Sequence, residues 1–343
     1  MEIYVLGAGA SEPYGAPTMG EFLSRAFSGW TLKPPDRTDF EIELKIVAGA
    51  IDDYYGTNLL AAQQGGEHYA AETEVALSKI NLEELLALAD EEDKTDVRKA
   101  LESVIFNTIE RSIQSGKKCN CYERLTTQLV RSEKKACLIS FNYDFLLDRA
   151  LTDAARRATS TWSYGVSFDA GIVKFPSYPD IPDPTIFLLK LHGSLNWARC
   201  QNCNSLRLYA YKTYENISRT TWPACTKCSG VSTGFEPVLV APTPVKQFPD
   251  GLDSAWETAA TCLRETEKLT VIGYSFPAFD RKSRVLFLKN LVIPHLFVDS
   301  RPKLAIVDRD HGTRKAIKSW FLPAVDRNVE EYDSFEDYCK MLQ

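Results

Sequence analysis

Polar side chains follow two apolar runs of the sequence, and their types suit contact with a ligand. Asn142 and Asp144 come directly after one run, and His192 and Ser194 follow another. Turns at strand ends favour small and polar residues in general, but that preference explains His192 and the pair of Asn142 and Asp144 less well. The alternatives are structural: Asn142 as a helix N-cap and His192 as a core histidine held by backbone groups.

A glycine-rich turn lies close to the N-terminus of the chain. Gly7, Ala8, Gly9 and Ser11 follow the apolar run at residues 3–6. Glycines let the backbone approach a pyrophosphate, and a helix N-terminus offers free N–H groups to it. Ser11 fits either a phosphate ligand or a helix N-cap. Because the third spaced glycine is missing, the turn alone does not distinguish nucleotide binding from a tight turn.

Two later strand ends complete the candidate ligand contacts. Gly273 and Ser275 follow the run at 269–272, and Asp308 follows the run at 304–307. Open α/β sheets bind ligands beyond the carboxyl ends of their strands, so we expect these residues to face the same ligand. Tight turns also favour glycine, serine and aspartate, and that interpretation stays open for each of them.

Four cysteines have the spacing of a metal site. Cys200 and Cys203 form one Cys-x-x-Cys pair, and Cys225 and Cys228 form a second. Four thiolates in a closed tetrahedral arrangement select zinc and leave no position for a water molecule. The pattern therefore predicts a structural zinc ion. The alternatives are metal-free turns or a redox-active pair.

The elements that position these residues are read from the apolar runs. Their continuity predicts buried strands, and helical patterns follow several of them, which is typical of a Rossmann-like α/β fold with a doubly wound parallel sheet. The predicted strands are 3–6, 137–141, 186–191, 269–272 and 304–307, with a sixth candidate at 237–241. The predicted helices that follow strands are 19–27, 145–158, 281–291 and 314–320.

Three regions are expected along the chain. Segments 1–32, 131–196 and 237–343 form the Rossmann-like nucleotide-binding domain, interrupted by a helical insert at 33–130 and a small zinc-ribbon-like module at 197–236. Within the insert, Asn81-Leu-Glu-Glu84 has the form of a capping box.

Composition limits the partners and the compartment. The 343 residues carry a net charge of −6, and no run of lysine and arginine exceeds two residues, so direct nucleic-acid binding is not expected. No apolar stretch reaches the roughly 20 residues of a membrane span, and the N-terminus does not have the form of a signal peptide. We therefore expect a cytoplasmic protein whose cysteines are reduced.

The ordered motifs together resemble the sirtuin-like family. They are Gly-Ala-Gly-x-Ser, Phe141-Asn-Tyr-Asp144, Lys190-Leu-His-Gly-Ser194, Gly-x-Ser and the two cysteine pairs. The likeness is closest to the bacterial sirtuin-like NAD hydrolases of antiphage defence, and it does not cover the helical insert. It implies NAD+ as the substrate, with Asn142 orienting the ribose and the attacking water. Asp144 would support the loop, and His192 would contact the ribose hydroxyls or act as general base.

One loop departs from the protein-deacylating members of that family. Their loop after the glycine motif ends in Pro-Asp-Phe-Arg, whereas this chain has Pro17-Thr18-Met19-Gly20, with Thr18 among the expected NAD+ contacts. No clear peptide-binding segment follows Gly273 either. Both differences favour water over an acyl-lysine as the nucleophile.

The sequence therefore predicts an NAD+ glycohydrolase that releases nicotinamide and ADP-ribose and acts as an antiphage-defence effector by depleting NAD+. A protein-lysine deacylase and a non-catalytic NAD+ or ADP-ribose sensor are the alternatives. Regulation through assembly is expected, either as a homo-oligomer or with a HerA-type hexameric ATPase, which the resemblance suggests as a partner.

Overall fold

The computed structural model describes residues 1–28, 38–62, 70–114, 119–132, 134–158, 160–168, 184–208, 225, 227–228, 235–240 and 251–342. The chain divides into two compact units. The first comprises Met1–Tyr14, Lys117–Lys212 and Thr221–Gln343, and the second comprises Gly15–Gly116 and Thr213–Thr220.

The first unit is built on a seven-stranded sheet in which every pairing is parallel. Its strands are β1 (Glu2–Leu6), β2 (Ala136–Ser140), β3 (Trp162–Ser163), β4 (Ile186–Lys190), β8 (Lys268–Ile272), β9 (Lys303–Val307) and β10 (Glu330–Tyr332). Their spatial order is β10-β9-β8-β1-β2-β4-β3. Without the short edge strand β3, this is the 3-2-1-4-5-6 order of a Rossmann sheet, which confirms the predicted fold class.

The strands form where the sequence is continuously apolar because a parallel sheet is covered on both faces. Ile3, Val5 and Leu6 of the central strand β1 are fully buried, as are Leu269 and Val271 of β8. The five predicted strands are confirmed to within one residue at each end.

The sixth predicted strand does not belong to this sheet. Residues 237–241 overlap β7 (Phe235–Leu239), which pairs antiparallel with β5 (Gly193–Cys200). With β6 (Leu206–Leu208) these strands form a separate three-stranded sheet of order β6-β5-β7. After β4 the chain turns away from the parallel sheet, and the next strand, β5, pairs with β6 and β7 instead.

Helices connect the strands of the first unit. They are α1 (Ala8–Ser11), α8 (Cys121–Ser132), α9 (Leu146–Ala158), α10 (Asp253–Arg264), α11 (Arg281–Phe287), α12 (Ile293–His295), α13 (His311–Phe321) and α14 (Phe335–Met341), with a 3-10 turn at Glu12–Tyr14 and a π turn at Leu288–Val292. The predicted helices at 145–158, 281–291 and 314–320 are confirmed, with the π turn closing the second of them.

The described part of the second unit is helical. Its helices are α2 (Phe22–Ser28), α3 (Thr38–Tyr55), α4 (Leu59–Ala62), α5 (Ala70–Leu77), α6 (Leu82–Glu91) and α7 (Thr95–Gln114), with a 3-10 turn at Met19–Glu21. The predicted cap is confirmed: Asn81 Oδ1 accepts hydrogen bonds from the backbone N–H groups of Glu83 and Glu84, at 2.8 and 3.3 Å. None of the helices that the structure describes combines the length and the apolar character needed to cross a bilayer.

Candidate functional site

The carboxyl ends of four neighbouring strands lie in one row. Leu6 of β1 pairs with Ser140 of β2 and with Ile272 of β8, and Ser140 pairs in turn with Lys190 of β4. The residues that follow these positions therefore emerge at the same edge of the sheet. The strand order reverses between β1 and β8, and this switch point is where Rossmann-type sheets bind their ligands.

The glycine turns after β1 and β8 pack directly against each other. A Cβ on Gly7 would lie 2.4 Å from the carbonyl oxygen of Gly273, and a Cβ on Gly273 would lie 2.4 Å from the backbone nitrogen of Ala10. Gly273 also has a φ of +60°, in the region that favours glycine. Gly9 N–H donates to the Gly273 carbonyl at 3.1 Å. Close backbone packing is thus a reason for these glycines that the sequence did not reveal.

Ser11 is fully buried at the end of α1, where its hydroxyl joins a polar network. Its Oγ donates to Asp144 Oδ2 at 2.7 Å, lies 2.8 Å from the hydroxyl of Tyr122, and accepts from Asn142 Nδ2 at 3.1 Å. The N-cap residue of α1 is Gly7, so the N-cap interpretation of Ser11 is wrong. Tyr122 is a member of the network that sequence reasoning missed, because its position at the start of α8 resembles any buried helix residue.

Asn142 is oriented by a backbone carbonyl. Its Nδ2 donates to the Gly7 carbonyl at 2.8 Å as well as to Ser11. The next helix, α9, begins at Leu146, whose N–H donates to Asp144 Oδ1 at 3.0 Å, so Asn142 is not the helix cap. Because the amide NH2 is used by these two acceptors, the carbonyl oxygen Oδ1 is the atom that Asn142 offers to a ligand.

Asp144 lies in a buried charged cluster that supports the loop. Burial raises its pKa, and the ammonium group of Lys190 opposes that shift. Lys190 Nζ donates to the Asp144 carbonyl and to Asp148 Oδ2, the latter at 3.0 Å, and Tyr164 donates its hydroxyl to Asp148 Oδ1 at 2.7 Å. The lysine at the end of β4 therefore holds the loop after β2.

His192 is almost completely buried at the neighbouring strand end, with 3% of its surface exposed. Its Nε2 lies 3.1 Å from Oδ2 of Asp280, and its ring meets Phe141 edge-on with the centroids 5.0 Å apart. The chain turns sharply after it: Gly193 has a φ of +80°, and a Cβ there would lie 1.9 Å from the Val238 carbonyl oxygen.

Asp280 is the second residue that sequence reasoning missed. It is fully buried and caps α11. Besides His192, its Oδ2 accepts from the hydroxyls of Tyr274 and Ser283 at 2.7 and 2.5 Å, and its Oδ1 accepts from the Ser283 N–H at 3.3 Å. An aspartate before a helix is typical of an N-cap, so nothing in the sequence indicated its second role beside His192.

One segment of the chain, which contains both His192 and the loop before Asp280, matches a known protein family. Residues 185–278 match the Sir2 family. The matched Sir2 segment includes His192, Gly273 and Ser275 as well as the four cysteines, whereas Gly7 and Asn142 lie outside it. No curated protein matches the chain.

The structure is also similar to solved Sir2 structures. One is a Sir2–p53 peptide–NAD+ complex, with 14% identity, coverage of 99% of this chain and 91% of that chain, and a TM-score of 0.44. Another, described as the structural basis for the mechanism and regulation of Sir2 enzymes, has 13% identity, coverage of 99% and 89%, and a TM-score of 0.48.

The remaining predicted contacts are less enclosed than His192. Ser275 is exposed in the loop after β8, and Ala8 is half-buried at the start of α1. Asp308 follows β9, where its Oδ1 accepts from the Asp310 N–H at 2.9 Å and burial raises its pKa. Thr18 belongs to the second unit, where it precedes the 3-10 turn at Met19–Glu21. Their contact with NAD+ stays a prediction.

The four cysteines come together as the spacing predicts. All four Sγ atoms lie within 4.8 Å of one another, with 3.7 Å between Cys200 and Cys228 and 3.8 Å between Cys203 and Cys225. A tetrahedron with zinc–sulfur bonds of about 2.3 Å has edges of about 3.8 Å, so the donor set and its size fit zinc. In the part of the chain that the structure describes, no other group of three or more acidic, histidine or cysteine side chains is gathered in this way.

Proposed function

We propose that this chain is an NAD+ glycohydrolase, which cleaves NAD+ to nicotinamide and ADP-ribose. One observation carries the proposal: Asn142 and His192 follow adjacent parallel strands, next to the glycine turn at the switch point of the sheet. A dinucleotide on that turn would extend toward both side chains. The match of residues 185–278 to the Sir2 family supports NAD+ as the ligand.

The two side chains supply complementary parts of the reaction. The glycosidic bond between C1′ of the ribose and the nicotinamide nitrogen breaks, and its electron pair leaves with nicotinamide, which becomes neutral. A water molecule bonds to C1′ and gives its proton to His192 as the general base. Asn142 Oδ1 accepts a hydrogen bond from the ribose or from the attacking water and so holds it in line.

The acceptor of the ribosyl group decides between the two enzymatic alternatives. A deacylase would present an acyl-lysine oxygen to C1′ instead of water. The loop Pro17-Thr18-Met19-Gly20 lacks the phenylalanine and arginine of the deacylases that the chain resembles, which favours water. A sensor would bind the nucleotide without turnover, and it would have no need for an oriented amide beside a buried histidine–carboxylate pair.

Product analysis separates the three functions. Purified protein is incubated with NAD+ alone and with NAD+ plus an acyl-lysine peptide, and products are resolved by chromatography. The hydrolase predicts nicotinamide and ADP-ribose in equal amounts without peptide. Release that depends on the peptide and yields O-acyl-ADP-ribose would show a deacylase. Thermal stabilisation by NAD+ or ADP-ribose without any product would show a sensor.

The biological setting of this activity is part of the proposal. A protein that hydrolyses NAD+ without a co-substrate can deplete the cellular pool, which suits an antiphage-defence effector that acts in the cytoplasm. We propose control through assembly, as a homo-oligomer or with a HerA-type ATPase. Light scattering of the protein alone and with the ATPase, together with NAD+ levels during phage infection, tests this setting.

The four-cysteine cluster has a structural part in this proposal. Cys200, Cys203, Cys225 and Cys228 would hold zinc and so support the sheet that begins directly after His192. A zinc ion bound by four thiolates has no open position, so the ion would contribute stability and no step of the reaction.

A further inference from the structure

Asp280 is held more elaborately than a helix cap requires. Oδ1 alone makes the capping hydrogen bond, to the Ser283 N–H. Oδ2 faces His192 Nε2 at 3.1 Å and is also bound by the hydroxyls of Tyr274 and Ser283. A fully buried carboxylate is costly unless it is paired and hydrogen-bonded, and this one has both kinds of partner. We therefore expect Asp280 Oδ2 to have a role at His192 beyond capping the helix.

The role of Asp280 at His192 follows from hydrogen-bond chemistry. An ionised carboxylate only accepts hydrogen bonds, so the nitrogen that faces it must carry a proton. A neutral imidazole carries one N–H, so a proton on Nε2 leaves a lone pair on Nδ1. Tyr274, in the loop after β8, and Ser283, in α11, both donate hydrogen bonds to the carboxylate oxygen that faces the ring and so favour this orientation.

We propose that Asp280 is a positioning residue that keeps His192 in the tautomer with the proton on Nε2, which makes Nδ1 the atom that accepts the proton during NAD+ cleavage. The role in turnover rests on the proposed function. The proton leaves the attacking water for Nδ1, Nε2–H stays with His192, and the resulting imidazolium is paired with the Asp280 carboxylate. Asp280 itself touches neither substrate nor reacting atom.

The tautomer can be measured without any activity. The chain has four histidines, so nitrogen NMR of protein labelled with 15N at histidine gives few signals, and His192→Gln assigns those of His192. The expected result for the wild-type protein is a protonated Nε2 and an unprotonated Nδ1 near pH 8. A proton on Nδ1 would overturn the proposal. This measurement stands even if the protein does not cleave NAD+, or if variants at Asp280 do not fold.

A matched pair of variants tests the effect on turnover. Asp280→Asn keeps an oxygen for the helix cap but removes the charge, whereas Ser283→Ala removes one partner of the same oxygen and leaves the charge. We expect kcat to fall about 100-fold in Asp280→Asn with KM within about twofold, and kcat to stay within about fivefold in Ser283→Ala.

The pH profile distinguishes positioning from a structural role. The His192 ring lies 3.1 Å from the Asp280 carboxyl group and 6.4 Å from the Tyr143 ring, and Tyr274 donates its hydroxyl to Asp280; Asp280→Asn removes the carboxylate charge from this group. Loss of that charge disfavours the imidazolium, so the acid limb of kcat/KM should move to lower pH in Asp280→Asn and stay in place in Ser283→Ala. An unchanged limb in Asp280→Asn, or equal losses in both variants, would overturn the proposal. An absence of NAD+ cleavage by the wild type would instead refute the proposed function.

Discussion

The two halves of the site are held in different ways. On one side, the Asn142 amide donates to two neutral groups, the Gly7 carbonyl and the Ser11 hydroxyl, and Ser11 is itself bound by Tyr122 and by the buried carboxyl group of Asp144. On the other side, His192 is paired with the buried carboxylate of Asp280. The amide side distributes its support, so the loss of one neutral partner should cost little, whereas the histidine side depends on a charge.

Lys190 ends β4, two residues before His192, and its ammonium group binds the loop of the amide side, so its loss should have the largest effect on stability. Lys190→Met leaves Asp148 buried without its cation and removes a donor from the Asp144 carbonyl. Breaking a buried pair in this way costs about 3–5 kcal/mol of unfolding free energy, measured by urea denaturation. Lys340→Met is the control, because Lys340 forms an exposed ion pair with Asp337. Loss of that pair should lower the unfolding free energy by less than about 1 kcal/mol. Equal costs in the two variants would show that the buried Lys190 pair stabilises the fold no more than an exposed one.

Removal of zinc should affect the two halves unequally. Cys203→Ser is expected to lose bound zinc, measured by plasma mass spectrometry, and to lower the melting temperature by several degrees. Because β5 begins at Gly193, the loosened sheet is continuous with His192, whereas it reaches the Asn142 loop through hydrogen bonds to the neighbouring Tyr143 carbonyl. The 15N signals of His192 should therefore broaden or shift. Full zinc content in Cys203→Ser, or an unchanged His192 signal after zinc loss, would contradict this connection.

Tyr122→Phe tests whether the amide side is redundant. Ser11 would keep Asp144 and Asn142 as partners after loss of the tyrosine hydroxyl. We expect about 1 kcal/mol of destabilisation and NAD+ cleavage within tenfold of wild type, a smaller loss than in Asp280→Asn. If Tyr122→Phe loses more activity than Asp280→Asn, then the amide side, and not the histidine side, depends on a single partner.

The smallest expected effect is on the pH dependence of stability, and it comes from Asp144. Because burial raises its pKa above that of the unfolded chain, the ionised form opposes folding at high pH, and wild type gains stability as the pH falls through the folded pKa. Asp144→Asn lacks this response. The melting temperature of wild type relative to Asp144→Asn should therefore rise as the pH is lowered from 8 to 5. A relative fall over that range would mean that the ionised carboxylate is stabilising.

There is a physical reason why some features of the structure were predictable from the sequence and others were not. Continuous apolar runs and small or polar residues at their ends predicted the parallel strands, and the spacing of the cysteines predicted their cluster. The partners were not predictable, because Tyr122 and Asp280 reach the site from helices distant in sequence. Gly7, Gly9 and Gly273 were identified as ligand contacts, yet their close backbone packing depends on which strands are neighbours. The strand at 237–241 was misplaced because an apolar run does not specify its pairing partner.

Nicotinamide release from NAD+ alone, compared among wild type, Asn142→Ala and His192→Ala, tests the central claim most directly. Far-ultraviolet circular dichroism confirms that each variant is folded. We expect turnover by wild type, a loss of about 10²–10⁴-fold in His192→Ala, and a loss of about 10²–10³-fold in Asn142→Ala. Release by both folded variants at the wild-type rate would contradict the assignment of these two side chains to the reaction.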